Sequence, residues 1–142
     1  MKKLLFVLVI STALSCSKNI QKVLTEKTWA IESVTVTPAI TMGDKTSTNY
    51  IELSGPESCV ANLTLTFSKE GTYVAGTNGA LCDMRADNSV KTWKVDGDKV
   101  ILSASADAPL TLAGDKLTQT TTSTQADGKT STFVYVYKPK SK

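Results

Sequence analysis

The sequence predicts an all-β protein, an eight-stranded antiparallel up-and-down barrel, on three observations. From Thr28 onward, short runs rich in threonine, valine and aromatic residues follow one another, the composition that suits a half-buried pleated surface. Tight turns separate them, at Lys69-Glu70-Gly71, Gly97-Asp98, Gly114-Asp115 and Ala126-Asp127-Gly128. Glycine supplies the positive φ such loops need, and loops this short join only antiparallel neighbours. Finally, the turn lengths set registers in which the bulky residues of every hairpin share one face. An apolar inner face and a polar outer one suit a barrel, which leaves no free edge; a two-layer sandwich is the alternative.

Taken in order, the expected strands are 28–37, 62–67, 72–75, 90–95, 99–103, 110–113, 116–124 and 129–138, with 50–53 as a short extra piece inside the first long connection. The loop 69–71 sets Phe67 opposite Tyr73. The Gly97-Asp98 turn sets Val95 against Val100 and Trp93 against Leu102. Gly114-Asp115 sets Leu112 against Leu117, and the last loop sets Gln119 against Tyr135 and Leu117 against Tyr137. A one-residue slip would turn each set inside out. The inward set is then Leu63, Leu65, Phe67, Tyr73, Trp93, Val95, Val100, Leu102, Leu110, Leu112, Leu117, Phe133, Tyr135 and Tyr137. Thr118, Thr120, Thr122, Thr124, Thr130 and Thr132 face the other way. The longest loops are 38–49 and 76–89, and neither a second periodic helix nor a solenoid repeat is read.

The N-terminus is read separately. Lys2-Lys3 precedes an apolar run from Leu4 to Leu14, too short to span a bilayer and suited to a signal h-region. Ala13-Leu14-Ser15-Cys16 then resembles the bacterial lipobox, which implies that residues 1–15 are a lipoprotein signal peptide and that Cys16 is acylated and heads the mature chain. More than one acyl chain gives stable anchoring. Residues 16–27 read as a lipidated tether with a brief helical possibility at Ile20, Val23 and Leu24, residues 28–138 as the barrel domain, and 139–142 as a basic tail.

Without residues 1–15 the 16 lysines and arginines lose Lys2 and Lys3, leaving 14 against 13 acidic residues. A near-neutral domain with no basic stripe argues against nucleic acid. The chain has no histidine, which removes the usual general base and the commonest metal ligand. Of three cysteines, Cys59 and Cys82 remain once Cys16 carries lipid. In an exported chain they are expected to form a disulfide that stabilises the fold by roughly 3 kcal/mol.

Several pieces resemble the lipocalin-like lipoproteins of Bacteroidetes: Leu24-Thr25-Glu26-Lys27-Thr28-Trp29, the stretch from Cys59 to Tyr73 that contains Asn62-Leu63-Thr64-Leu65-Thr66-Phe67-Ser68-Lys69-Glu70-Gly71, then Cys82, then Thr92-Trp93-Lys94-Val95. The resemblance implies a calycin-type, lipocalin-like barrel and a small apolar ligand. In lipocalins a Gly-x-Trp motif opens the first strand and a basic residue from the last strand packs over the tryptophan. Carried over, Trp29 takes the tryptophan's place and Lys138 the partner's, with Lys27 where glycine is usual. Ser17-Lys18-Asn19 lacks the acidic cluster that surface-exported relatives carry. That implies an outer-membrane lipoprotein on the periplasmic face, with cell-surface display as the alternative.

The candidate ligand-binding residues are Phe67, Tyr73, Trp93, Gln119, Phe133 and Tyr135. An apolar lining with a few polar groups is the usual small-molecule site, and eight-stranded barrels stand between side-chain-filled and ligand-holding. No catalytic residue, metal or cofactor is expected. Asp83, Asp87, Asp96 and Asp98 lack an EF-hand pattern, and Ser103-Ala104-Ser105 has no base to activate a hydroxyl. The function expected is a non-enzymatic, membrane-anchored carrier of an apolar or lipid-like molecule. The alternative is an envelope interaction or inhibitor module, partner unknown, on a filled barrel.

Overall fold

The computed structural model describes residues 13–77, 82, 91–124 and 128–140. Nine strands, β1 (Thr28–Met42), β2 (Lys45–Asn49), β3 (Leu63–Phe67), β4 (Thr72–Thr77), β5 (Lys91–Asp96), β6 (Lys99–Leu102), β7 (Leu110–Ala113), β8 (Lys116–Thr124) and β9 (Thr130–Lys140), are joined by two helices, α1 (Ala13–Thr25) and α2 (Tyr50–Ser54). Each strand from β3 to β9 pairs with the next, and β1 pairs with both β3 and β9, closing a barrel of eight antiparallel strands. The fold is therefore the all-β, lipocalin-like barrel and not the sandwich. β2 stands outside the ring as an extension along β1.

The registers follow the turns. Phe67 faces Tyr73, Trp93 faces Leu102, Val95 faces Val100, Leu112 faces Leu117, Leu117 faces Tyr137 and Gln119 faces Tyr135. Gly97 and Gly114 have φ of 63° and 61° with open space around them, so backbone conformation rather than crowding requires glycine. The threonines expected on the outer face lie there: Thr122 opposes Thr132, and Thr124 shares a hydroxyl contact with Thr130.

β1 departs from the expected strand 28–37 in two ways. It runs on to Met42 and turns at Gly43-Asp44 into β2, so the expected loop 38–49 is mostly a β-ribbon. A bulge also leaves Glu32 unpaired between Ile31, opposite Tyr137, and Ser33, opposite Val136. The extra residue switches the inward parity, so that Trp29 and Ile31 below it and Val34 and Val36 above it are all buried. Glu32 itself points outward, with both carboxylate oxygens 2.7–2.8 Å from Lys116 Nζ at the foot of β8.

The expected tether and ninth strand need correction. Residues 13–25 form a helix whose apolar side is part of the core: Leu24 is fully buried, and Ile20 and Val23 pack against the same cluster. Polar Asn19, Gln21 and Lys22 stay exposed, so the 3.6-residue period of the helix, rather than its overall composition, decides what it covers. Residues 50–54 are helical because Asn49 caps them, its Oδ1 accepting from the Glu52 N–H at 3.3 Å. The last strand runs past 138 to Lys140, taking in part of the expected tail.

Candidate functional site

Strand direction gives the barrel two ends. β1 rises from Thr28, so the lower end carries the turns Ser68–Gly71, Gly97-Asp98 and Gly114-Asp115, the end of β9 and the end of α1. The upper end carries the β1–β2 turn, α2, the segment before β3, and the connection from Ser103 to Pro109.

The lower interior is packed with side chains. Trp29 is fully buried, and its Nε1 donates to Leu24 O at 3.3 Å, joining α1 to the floor. Phe67 meets Trp93 edge-on at 5.2 Å between centroids and lies 6.1 Å from Tyr73. Trp93 Nε1 donates to Ser68 O at 3.2 Å and its backbone N–H to Gly71 O at 2.9 Å, fastening the lowest turn. Val100, Leu102, Leu110 and Leu117 complete this cluster. Lys138 does not take part: it is exposed, opposite Ala30 on the outer face, while Trp29 points inward. The partner of the tryptophan is the helix before it rather than a base from the last strand.

The upper interior is built differently. Phe133 and Tyr135, two residues apart on β9, present near-parallel rings 6.5 Å apart. Tyr50 of α2 meets Phe133 edge-on at 5.2 Å. The Tyr135 hydroxyl bonds to the Thr121 side chain, and burial raises its pKa above the usual tyrosine value. Phe133, Tyr135, Tyr50 and Thr121 are half-buried, whereas Ser131 beside them is only 2% exposed. Among the described residues, Lys91 is the only charged residue at an inward register position, and it lies on β5, four strands around the ring from β9 in either direction.

The six candidate ligand residues therefore do not form one site. Phe67 and Trp93 belong to the packed floor. Tyr73 is buried, with its hydroxyl by the backbone of Ala104 and its pKa raised by burial. Gln119 is buried and committed: its Nε2 donates to Ser105 Oγ at 2.9 Å and to Ala108 O at 2.7 Å, holding the Ser103–Pro109 connection against β8. Of the six, only Phe133 and Tyr135 belong to the half-buried upper interior. Tyr50 and Thr121 join them and were missed: Tyr50 through its assignment to a strand, Thr121 because its inward parity, shared with Gln119, was not followed up the strand.

Cys59 and Cys82 form a disulfide, with Cα atoms 5.6 Å apart. It ties the segment after α2 to the connection after β4 at the upper end. Asn62 braces that segment, its Nδ2 donating to Pro56 O and Ser58 O at 3.0 Å each. Asp96 and Asp98 flank a hairpin turn, and Asp83 and Asp87 lie outside the described residues, as does most of the loop 76–89. Among the described residues no group of three or more Cys, Asp or Glu is placed to hold a metal ion, and no helix is long and apolar enough to cross a membrane.

No protein-family model matches the chain, and no curated protein is significantly similar to it.

Proposed function

We propose that this chain is an exported lipoprotein, anchored to the outer membrane through acylated Cys16 and facing the periplasm, whose barrel binds a small apolar or lipid-like molecule. The resemblance to the lipocalin-like lipoproteins of Bacteroidetes belongs to this reading, as does the absence of enzymatic activity. The observation that carries it is the contrast inside the barrel. The floor is closed by tightly packed aromatic and aliphatic side chains, while the upper interior holds half-buried rings, Phe133, Tyr135 and Tyr50, with hydroxyl groups beside them. Rings with a polar tip suit a ligand that is mostly apolar and carries one hydrogen-bonding group. The filled floor favours a ligand held in the upper half over a long acyl chain lying through the barrel.

The test uses purified protein incubated with an envelope lipid extract, followed by native mass spectrometry. A bound small molecule that is lost on Phe133→Ala with the fold intact supports the reading. An empty protein that also fails to bind a hydrophobic fluorescent probe sinks it. The alternative, a protein-interaction module, is favoured by one feature: the β1–β2 ribbon beyond Thr37 projects from the barrel, with Met42 at its tip 42% exposed.

A further inference from the structure

The anchor and the candidate binding site lie at opposite ends of the molecule. α1 enters the core at the lower end, where Leu24 is fully buried, Ile20 and Val23 pack beside it, and Trp29 holds the Leu24 carbonyl. Cys16 lies on the same helix, eight residues before Leu24. At the helical rise per residue this is roughly 12 Å of continuous helix. The upper end, with α2, the β1–β2 turn and the disulfide, is separated from the floor by the length of the strands. An eleven-residue β9 tilted as barrel strands are gives a height of roughly 28 Å.

From this arrangement we infer that the barrel stands on the bilayer by its closed end, with the upper end turned away from the membrane that anchors it. This inference rests on the lipid-anchored reading given above. The docking of the helix sets the orientation, and the lower turns are compatible with it. The helix is docked into the floor by three apolar side chains and a buried indole hydrogen bond, so it does not swivel freely against the barrel. The lower turns are charged and exposed, at Lys69, Glu70, Asp96, Asp98, Lys99 and Asp115, and so suit a hydrated headgroup layer rather than insertion into hydrocarbon. The ligand would then enter from the aqueous side or from a donor approaching there, and not by direct extraction from the anchoring leaflet.

The test uses the full chain, produced in a host that acylates it and reconstituted into phosphatidylethanolamine–phosphatidylglycerol vesicles that carry a headgroup spin-labelled lipid. Asp98→Cys places a fluorophore at the lower end and Asp44→Cys one at the upper end; both positions are exposed turns. With Cys59 and Cys82 joined and Cys16 acylated, the introduced thiol is the reactive one. The expected result is strong quenching by the spin-labelled lipid at 98 and little at 44, with aqueous iodide favouring 44. A Gly-Ser linker inserted between Ser17 and Lys18 should make the two labels alike. Equal lipid quenching of both labels in the protein without the linker, stronger quenching at 44, or indifference to the linker overturns the end-on orientation. A chain that neither carries acyl mass nor floats with vesicles overturns the anchored reading and this inference with it.

Discussion

Below Tyr73 the barrel interior is made of Trp29, Phe67, Trp93, Leu24 and a ring of leucines and valines, all in one cluster and nearly all inaccessible to water. Above it β8 and β9 carry Thr121, Ser131, Phe133 and Tyr135, with Tyr50 of α2 against Phe133 and the fully buried Val34 and Val36 of β1 alongside. The lower residues bond to the backbone of their own turns and helix, Trp29 to Leu24 and Trp93 to Ser68, and so use their polar atoms to finish the fold. In the upper half the Tyr135 hydroxyl bonds to the Thr121 side chain, and hydroxyl groups both donate and accept, so this one contact can exchange for a ligand. One barrel thus combines a half specialised for stability with a half that holds an exchangeable polar contact.

Trp29→Ala should have the largest effect. Deleting a fully buried indole that also holds α1 is expected to cost about 4 kcal/mol, seen as a lower urea midpoint. If Phe133→Ala costs as much, the two halves are equally packed and the contrast fails. Replacing Cys59 and Cys82 with serine should cost about 3 kcal/mol, again read from the urea midpoint; an unchanged midpoint would show that the bridge does not constrain the unfolded chain.

Alkaline titration sharpens the comparison further. Tyr137 is 2% exposed, and its pKa is pushed far above the usual tyrosine range, chiefly by burial and then by Tyr135 and Tyr73 nearby. Above about pH 10 the unfolded chain releases the proton that the folded chain keeps. Stability should therefore be level below that pH and fall above it, by about 1.4 kcal/mol per pH unit for one such tyrosine. Ultraviolet titration should show Tyr137 ionising only with unfolding; its ionisation in the folded protein would contradict this.

Tyr135→Phe should leave the fold intact and weaken a ligand with a polar head by about 1 kcal/mol, the value of one hydrogen bond. Isothermal titration of the wild type and variant with one ligand checks this, and unchanged affinity would remove Tyr135 from the site. The smallest effect expected is that of Glu32→Ala, about 0.5 kcal/mol, because its ion pair with Lys116 is about one-third exposed on each side. A larger loss, read from the same urea transitions, would mean that the bulge depends on the pair.

Much of this was legible in the residues. The turns specified the pairings β3–β4, β5–β6, β7–β8 and β8–β9. Two further features are legible in the sequence. Gly-Asp-Lys occurs three times, at 43–45, 97–99 and 114–116, and all three glycines have φ near 60°, so the β1–β2 hairpin carried the same signature as two that were read. The apolar residues of β1 also change parity between Ile31 and Val34, which is the mark of the bulge.

The candidate site was less legible, because alternation reports which face a side chain occupies and not what its polar atoms do there. Gln119 and Tyr135 oppose each other in register, yet Gln119 is committed to Ser105 and Ala108 while Tyr135 belongs to the half-buried upper interior. Lys138 shows the same limit: its place in the family pattern suggested a contact that its outward parity on β9 forbids.

The sequence by itself determined the registers of the four short hairpins and which large side chains of those strands face inward, because short turns and a period of two are local properties of the chain. Only the tertiary structure decided how the ring closes, that α1 plugs the floor, and where α2 lies. Those outcomes depend on which surfaces remain uncovered once the sheet has curled: β1 meets β9 across nearly the whole chain, and the open lower end takes the nearest amphipathic segment, whose Leu24 then becomes core.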